Sequence, residues 1–320
     1  VPDDDFFLQQ EIAAAKADLY FVSQDFSNSE AALIDAYGCN PFAFAPALGH
    51  FYANYRSFGQ ALTVLEPYLA DNYDPVVALQ TAEIYCLLDR KEKIIELRRE
   101  YQDGSGEAAM LCSYYFDALC AFCTGDIDAM KYSLVPLRQA INSPLATFMY
   151  LCLENNDKNP AGVLRYYNEI LRHRPFLDLQ ERADQIVQDF VKQAISSGDG
   201  NDEEILFQLA EKLYSRSPEP FTAKYILLHQ RNVGALDPVL LKDALTRFPE
   251  DPGIIKITIE YELENNLVEA EKNIAAYRRQ FPEESAEMLR YEIILAFRRN
   301  QLDQVSALFQ KNFSPDLYLE

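Results

Sequence analysis

The chain has 320 residues, 49% of them hydrophobic and 25% charged, with a formal net charge of −21. That balance excludes wholesale disorder, and the acidity argues against nucleic acid and anionic membrane as partners, because phosphate binding needs clustered Lys and Arg. No run of about 20 apolar residues occurs, so no membrane span is predicted.

Residues 5–22 (DFFLQQEIAAAKADLYFV) predict a first helix and SNSEAALIDAY a second, with Ser27 or Ser29 as its cap and Glu30 in its first turn. NPFAFAPALGHFYANY then pairs with SFGQALTVLEPYLA, and DPVVALQTAEIYCLL with KEKIIELRREY. GEAAMLCSYYFDALCAFC pairs with DIDAMKYSLVPLRQAI, and PLATFMYLCLEN with PAGVLRYYNEILRH. The longer LDLQERADQIVQDFVKQAI precedes DEEILFQLAEKLYSR. PFTAKYILLHQ pairs with DPVLLKDALTRF, PGIIKITIEYELEN with LVEAEKNIAAYRRQF, and EESAEMLRYEIILAFRRN with LDQVSALFQKNF. Apolar residues recur at helical steps and the connections are short, so the expected fold is all-α: about nine stacked helical hairpins in one α-α superhelix. The stretch SSGDGND places an expected kink or subdomain boundary near residues 196–202 of an otherwise single 1–320 domain.

The turns repeat as well. Phe58/Ala61, Ile127/Met130, Leu267/Ala270 and Leu302/Val305 each set a large apolar residue three positions before a second one. Pro249 and Pro282 follow two similar helix ends, and a proline stops a helix because it lacks an N–H and clashes with the preceding turn. Residues 251–282, with Tyr261, Ala270 and Pro282, resemble the tetratricopeptide repeat family, whose unit is a helix–turn–helix. Leu48-Gly49, Tyr52 and Ala61 match the same skeleton, Ala244 and Pro249 match it more loosely, and Gly125-Asp126 matches a repeat turn. The chain departs from the family in having no Trp and in its unequal repeat lengths.

No catalytic constellation emerges. Cys120-x-x-Cys123, with Cys112 nearby, lacks the further Cys or His ligands that zinc needs, and packing accounts for it better. His50, His173 and His229 stand in separate hairpins without a nucleophile motif. DGNDEE (199–204) lacks the sixth-position Gly of a calcium loop, and capping by Asn201 or Asp202 explains it better. No cofactor or metal is expected, and the chain is read as non-enzymatic.

What remains is a binding surface. In the resembling family the first helix of each hairpin lines a concave face, which implies His50, Asn54, Tyr115, Phe122 and His229 as binding candidates, with packing between helices as the alternative for Tyr115 and Phe122. The first helices carry few bases, so a basic clamp for carboxylates is not expected. The acids of residues 1–50 face one base, Lys16, which suits a solvated cap or a basic partner segment. Two functions fit: a scaffold or adaptor holding another protein or peptide, or a helical regulatory or sensor domain that binds a small ligand or peptide and changes curvature. The terminal hairpins offer faces for homo-oligomerisation. Six Cys, mostly in apolar helices, suit a reducing compartment, so cytoplasm is expected; the absence of an initial Met leaves a processed or exported chain open.

Overall fold

The computed structural model describes residues 5–55, 57–101, 107–137, 143–172, 177–197 and 202–312. Among them are eighteen α-helices and no strand. In chain order they are α1 (Asp5–Val22), α2 (Phe26–Cys39), α3 (Pro41–Asn54), α4 (Phe58–Asp71), α5 (Pro75–Leu87), α6 (Lys91–Tyr101), α7 (Glu107–Thr124), α8 (Ile127–Leu134) and α9 (Pro144–Asn156). They continue as α10 (Pro160–Arg172), α11 (Leu177–Ser197), α12 (Glu203–Arg216), α13 (Pro220–Asn232), α14 (Pro238–Arg247), α15 (Pro252–Asn265), α16 (Leu267–Gln280), α17 (Ser285–Arg298) and α18 (Leu302–Asn312).

Every odd-numbered helix except α11 packs against the even-numbered one that follows it, as in α1/α2, α3/α4, α9/α10 and α15/α16, while α12 packs on α13. First helices also pack against first helices, as α5 does on α7 and α15 on α17, which is the signature of stacked hairpins. The contacts divide the chain into two compact units, Val1–Ile186 and Val187–Glu320, with the change falling inside α11. Of residues 196–202, near which the sequence predicts a kink or subdomain boundary, 198–201 lie outside the described residues.

The hairpin corners share one device. Gln24, Asp89, Gly125, Lys158, Gly234 and Asn300 all have φ between 55° and 72°, each just after the first helix of its pair. The N–H of the next residue bonds back five positions at 2.8–3.0 Å: Asp25 to Tyr20, Arg90 to Tyr85, Asp126 to Ala121, Asn159 to Glu154, Ala235 to Gln230 and Gln301 to Ala296. This left-handed C-terminal motif satisfies carbonyls that the helix end would leave orphaned.

Helix starts share another. Asn40-Pro41, Asp74-Pro75, Ser143-Pro144, Asn159-Pro160, Asp237-Pro238 and Asp251-Pro252 each place a side-chain acceptor before a proline at the first helical position. The proline has no N–H to leave unpaired there, and the capping oxygen takes one of the free N–H groups beyond it. Asp74 Oδ1, for example, accepts from the N–H groups of Val76 and Val77 at 3.0 and 3.1 Å.

One sequence expectation is corrected here. The cap of α2 is Asp25, which accepts from the Asn28 N–H, rather than Ser27 or Ser29. Ser29 is inside the helix and buried, its Oγ donating to the Ala17 carbonyl at 2.9 Å. The helix begins earlier because an aspartate two residues upstream of Ser27 is free to cap it. The echo at Pro249 and Pro282 has a structural counterpart. Phe248 and Phe281 close their helices with φ −128° each and ψ 60° and 69°, donating to Ala244 and Tyr277, and a proline follows directly.

Small and large residues interlock in the core. Ala61, Ala244 and Ala270 are fully buried on second helices, and Gly49 lies where an added Cβ would come within 2.2 Å of Leu65. Several core tyrosines have a buried ring and a hydroxyl that donates to a carboxylate. The pairs are Tyr85–Glu66 at 2.7 Å, Tyr167–Asp184 at 2.6 Å, Tyr214–Asp243 at 2.7 Å, Tyr277–Glu284 at 2.6 Å and Tyr291–Glu260 at 2.9 Å. Burial first, and then the carboxylate, pushes Tyr277 up to about 12. Part of the chain's acidity therefore serves its core, because a buried phenol needs an acceptor.

Candidate binding grooves

Three consecutive first helices of the second unit, α13, α15 and α17, form one side of a groove of about 440 Å³. Arg231 comes from the last turn of α13, Glu260, Tyr261 and Glu264 from α15, and Arg290, Ile294 and Arg298 from α17. Arg290 and Arg298 are eight positions apart, so a little over two helical turns brings both to one face. Three guanidinium groups thus converge in a chain of net charge −21.

Their bonding is unequal. Arg231 Nη1 donates to Glu260 Oε2, and the Tyr291 hydroxyl donates to the other oxygen of the same carboxylate at 2.9 Å. Glu260 is therefore occupied from two sides. Arg290 and Arg298 are exposed, and neither has a carboxylate partner among the described residues. A guanidinium fork without a protein partner, beside an apolar wall, suits an incoming carboxylate. The scarcity of bases on the first helices, expected from sequence, is corrected at this one place. The signal available in sequence was the spacing of Arg290 and Arg298; the contribution of Arg231 came from another hairpin.

The sequence-derived candidates lie elsewhere, four in the first unit and His229 in the second. Tyr115 of α7 is 1% exposed, and its hydroxyl donates to Glu83 of α5 and lies 2.9 Å from the Ser143 Oγ that caps α9. Burial raises the Glu83 carboxyl above its usual value, against the opposing hydrogen bonds from Ser143 and Tyr115. Phe122, half-buried on α7, meets Phe148 of α9 edge-on at 6.0 Å, and Arg182 of α11 sits 5.9 Å and 5.1 Å from the two ring centres. Tyr115 and Phe122 thus share one helix but not one cluster.

His50 of α3 accepts at Nδ1 from the Gln80 Nε2 of α5 at 2.7 Å. Burial of the ring lowers its basicity, in keeping with a neutral imidazole that accepts there, although the residue as a whole stays exposed. Asn54 is half-buried in the last turn of α3. His229 of α13 stacks on Phe207 at 4.3 Å, with its Nδ1 3.0 Å from Glu203 Oε1. His173 lies outside the described residues, as does Asn201; Asp202 stands at the cap position directly before α12 but makes no side-chain capping bond.

Among the described residues no group of three or more His, Cys, Asp or Glu could hold a metal ion, and no helix is long and apolar enough to cross a membrane.

No protein-family model and no curated protein matches the chain. Among solved structures it is similar to yeast Tom70, at 14% identity over 94% of this chain and 68% of that one, with a TM-score of 0.32. It is also similar to the P58(IPK) TPR domain, at 13% identity over 95% and 99%, with a TM-score of 0.26. Overlaps this loose carry little, and the chain's own paired helices and repeated corners are what make it a TPR-like, all-α repeat fold.

Proposed function

We propose that this chain is a non-enzymatic protein-interaction scaffold whose α13/α15/α17 groove grips a carboxylate-bearing segment of another protein. The observation that carries the reading is the pair Arg290 and Arg298, exposed and without a carboxylate partner among the described residues, beside Arg231 in a groove of about 440 Å³. The rest of an acidic surface repels such a segment at long range, so what binds it must do so locally, through bidentate guanidinium contacts. Tyr261 and Ile294 supply the apolar wall for the neighbouring side chain.

The test is a fluorescently labelled oligoglutamate peptide titrated into the full chain at several salt concentrations. Saturable binding that weakens with salt is expected. Arg290→Ser and Arg298→Ser should each weaken it about ten- to a hundredfold, since a charge-assisted hydrogen bond contributes about 1.5–3 kcal/mol. Equal binding by the parent and the double variant, or preference for an oligolysine peptide, would overturn the reading. Competition by free glutamate at low concentration would favour a small-ligand sensor instead.

A further inference from the structure

The sulfur that faces Cys123 is not that of Cys120, its neighbour in the Cys-x-x-Cys spacing. It is that of Cys86, 37 residues away, with the two Sγ atoms 3.3 Å apart. Cys86 stands in the last turn of α5 and Cys123 in the last turn of α7, equivalent places on two first helices that pack together. A disulfide has an S–S length of about 2.05 Å, so closure asks the sulfurs to approach by about 1.3 Å.

The two thiols differ in the way a reactive pair requires. Cys86 is 8% exposed, while Cys123 is partly open to solvent. The hydrogen bond from Cys86 holds the Cys123 thiol below its usual value, against burial and the nearby Asp89. Burial pushes Cys112 and Cys120 upward and Cys152 up to about 11. The accessible member is thus the better thiolate, and the buried member waits beside it.

We propose that Cys86 and Cys123 form a dithiol which a low-molecular-weight disulfide converts to an intramolecular disulfide, joining α5 to α7. Cys123 loses its proton to solvent, and its thiolate attacks one sulfur of the small disulfide. That S–S bond breaks, and one small thiolate leaves and takes up a proton. Cys86, deprotonated in turn, attacks Cys123 Sγ in the mixed disulfide and expels the second small thiolate. Two protein thiols are oxidised, and one small disulfide is reduced to two thiols. The bond would fix the first helices of two successive hairpins beside the Glu83–Tyr115 contact. It lies in the first unit and owes nothing to the arginine groove.

The experiment incubates the reduced full chain with oxidised glutathione, quenches in acid, blocks remaining thiols with a maleimide, and maps the peptides by mass spectrometry. The expected result is a Cys86–Cys123 cross-linked peptide, with Cys112 and Cys120 still blocked by maleimide. Cys86→Ser should trap glutathione on Cys123, and Cys123→Ser should leave Cys86 reduced. Cys123 is partly exposed, so the second variant keeps the test informative if the first perturbs packing; circular dichroism checks both. Two results would overturn the proposal: a Cys120–Cys123 cross-link, or maleimide on both Cys86 and Cys123 when exposed Cys39 has already acquired glutathione.

Discussion

Replacing Gly49 by alanine tests how the hairpins interlock. Gly49 is on α3, and a Cβ there would lie 2.2 Å from Leu65 Cδ2, 2.5 Å from Cγ and 3.0 Å from Cδ1. Leu65 is fully buried on α4, so its isobutyl group cannot swing into solvent to make room. Overpacking of this kind costs about 1–3 kcal/mol, while alanine recovers about 1 kcal/mol of helix propensity over glycine. Gly49→Ala should therefore destabilise the first unit by about 1 kcal/mol. Leu65→Ala alone should cost about 2–5 kcal/mol through lost burial and a cavity. In that background the sign reverses: the Cβ enters vacated space, and Gly49→Ala should stabilise by about 1 kcal/mol, a coupling near 2 kcal/mol between the sites. The assay is denaturant unfolding followed by circular dichroism and tyrosine fluorescence, the chain having no Trp. Gly38→Ala on α2, where nothing lies within 4 Å, is the control and should be neutral or stabilising. Stabilisation of the parent by Gly49→Ala, or additive effects in the double variant, would refute the reasoning.

Two further predictions concern protonation and backbone. Burial raises the Glu83 carboxyl, so folding is favoured below the ordinary glutamate value of about 4.3 and loses that contribution as pH rises through the raised folded value. Glu83→Gln keeps an acceptor for Tyr115 and cannot ionise; its melting temperature relative to the parent should climb as pH rises from there, and parallel profiles would count against the buried carboxyl. At the first corner, Gln24 holds φ 63°, a region that costs a residue with a side chain about 1 kcal/mol relative to glycine. Gln24→Gly should raise the midpoint of thermal unfolding, whereas the same change at exposed helical Gln60 should lower it.

What the sequence determined by itself is the set of local decisions. Asp74-Pro75 or Asp251-Pro252 starts a helix, and Phe-Pro at 248–249 and 281–282 ends one, through bonds that span only a few residues. Leu48-Gly49, Tyr52 and Ala61 were legible as a packing skeleton for the same reason, since each answers to its own hairpin. Even so, Asp25 took the cap assigned to Ser27 or Ser29, because neighbouring acceptors compete and the register of the turn decides between them. Tertiary structure alone decided which residues meet across hairpins. Arg231 reaches Glu260 at a separation of 29, Tyr291 reaches it at 31, Tyr115 reaches Glu83 at 32, and Cys86 meets Cys123 at 37. Those intervals approximate one repeat, but the repeats are unequal in length, so no fixed spacing identifies the partner. The arginine groove and the facing thiols exist because stacking sets one first helix against the next at a particular rotation. That rotation is fixed by the packing of whole hairpin faces, and no short stretch of sequence contains it.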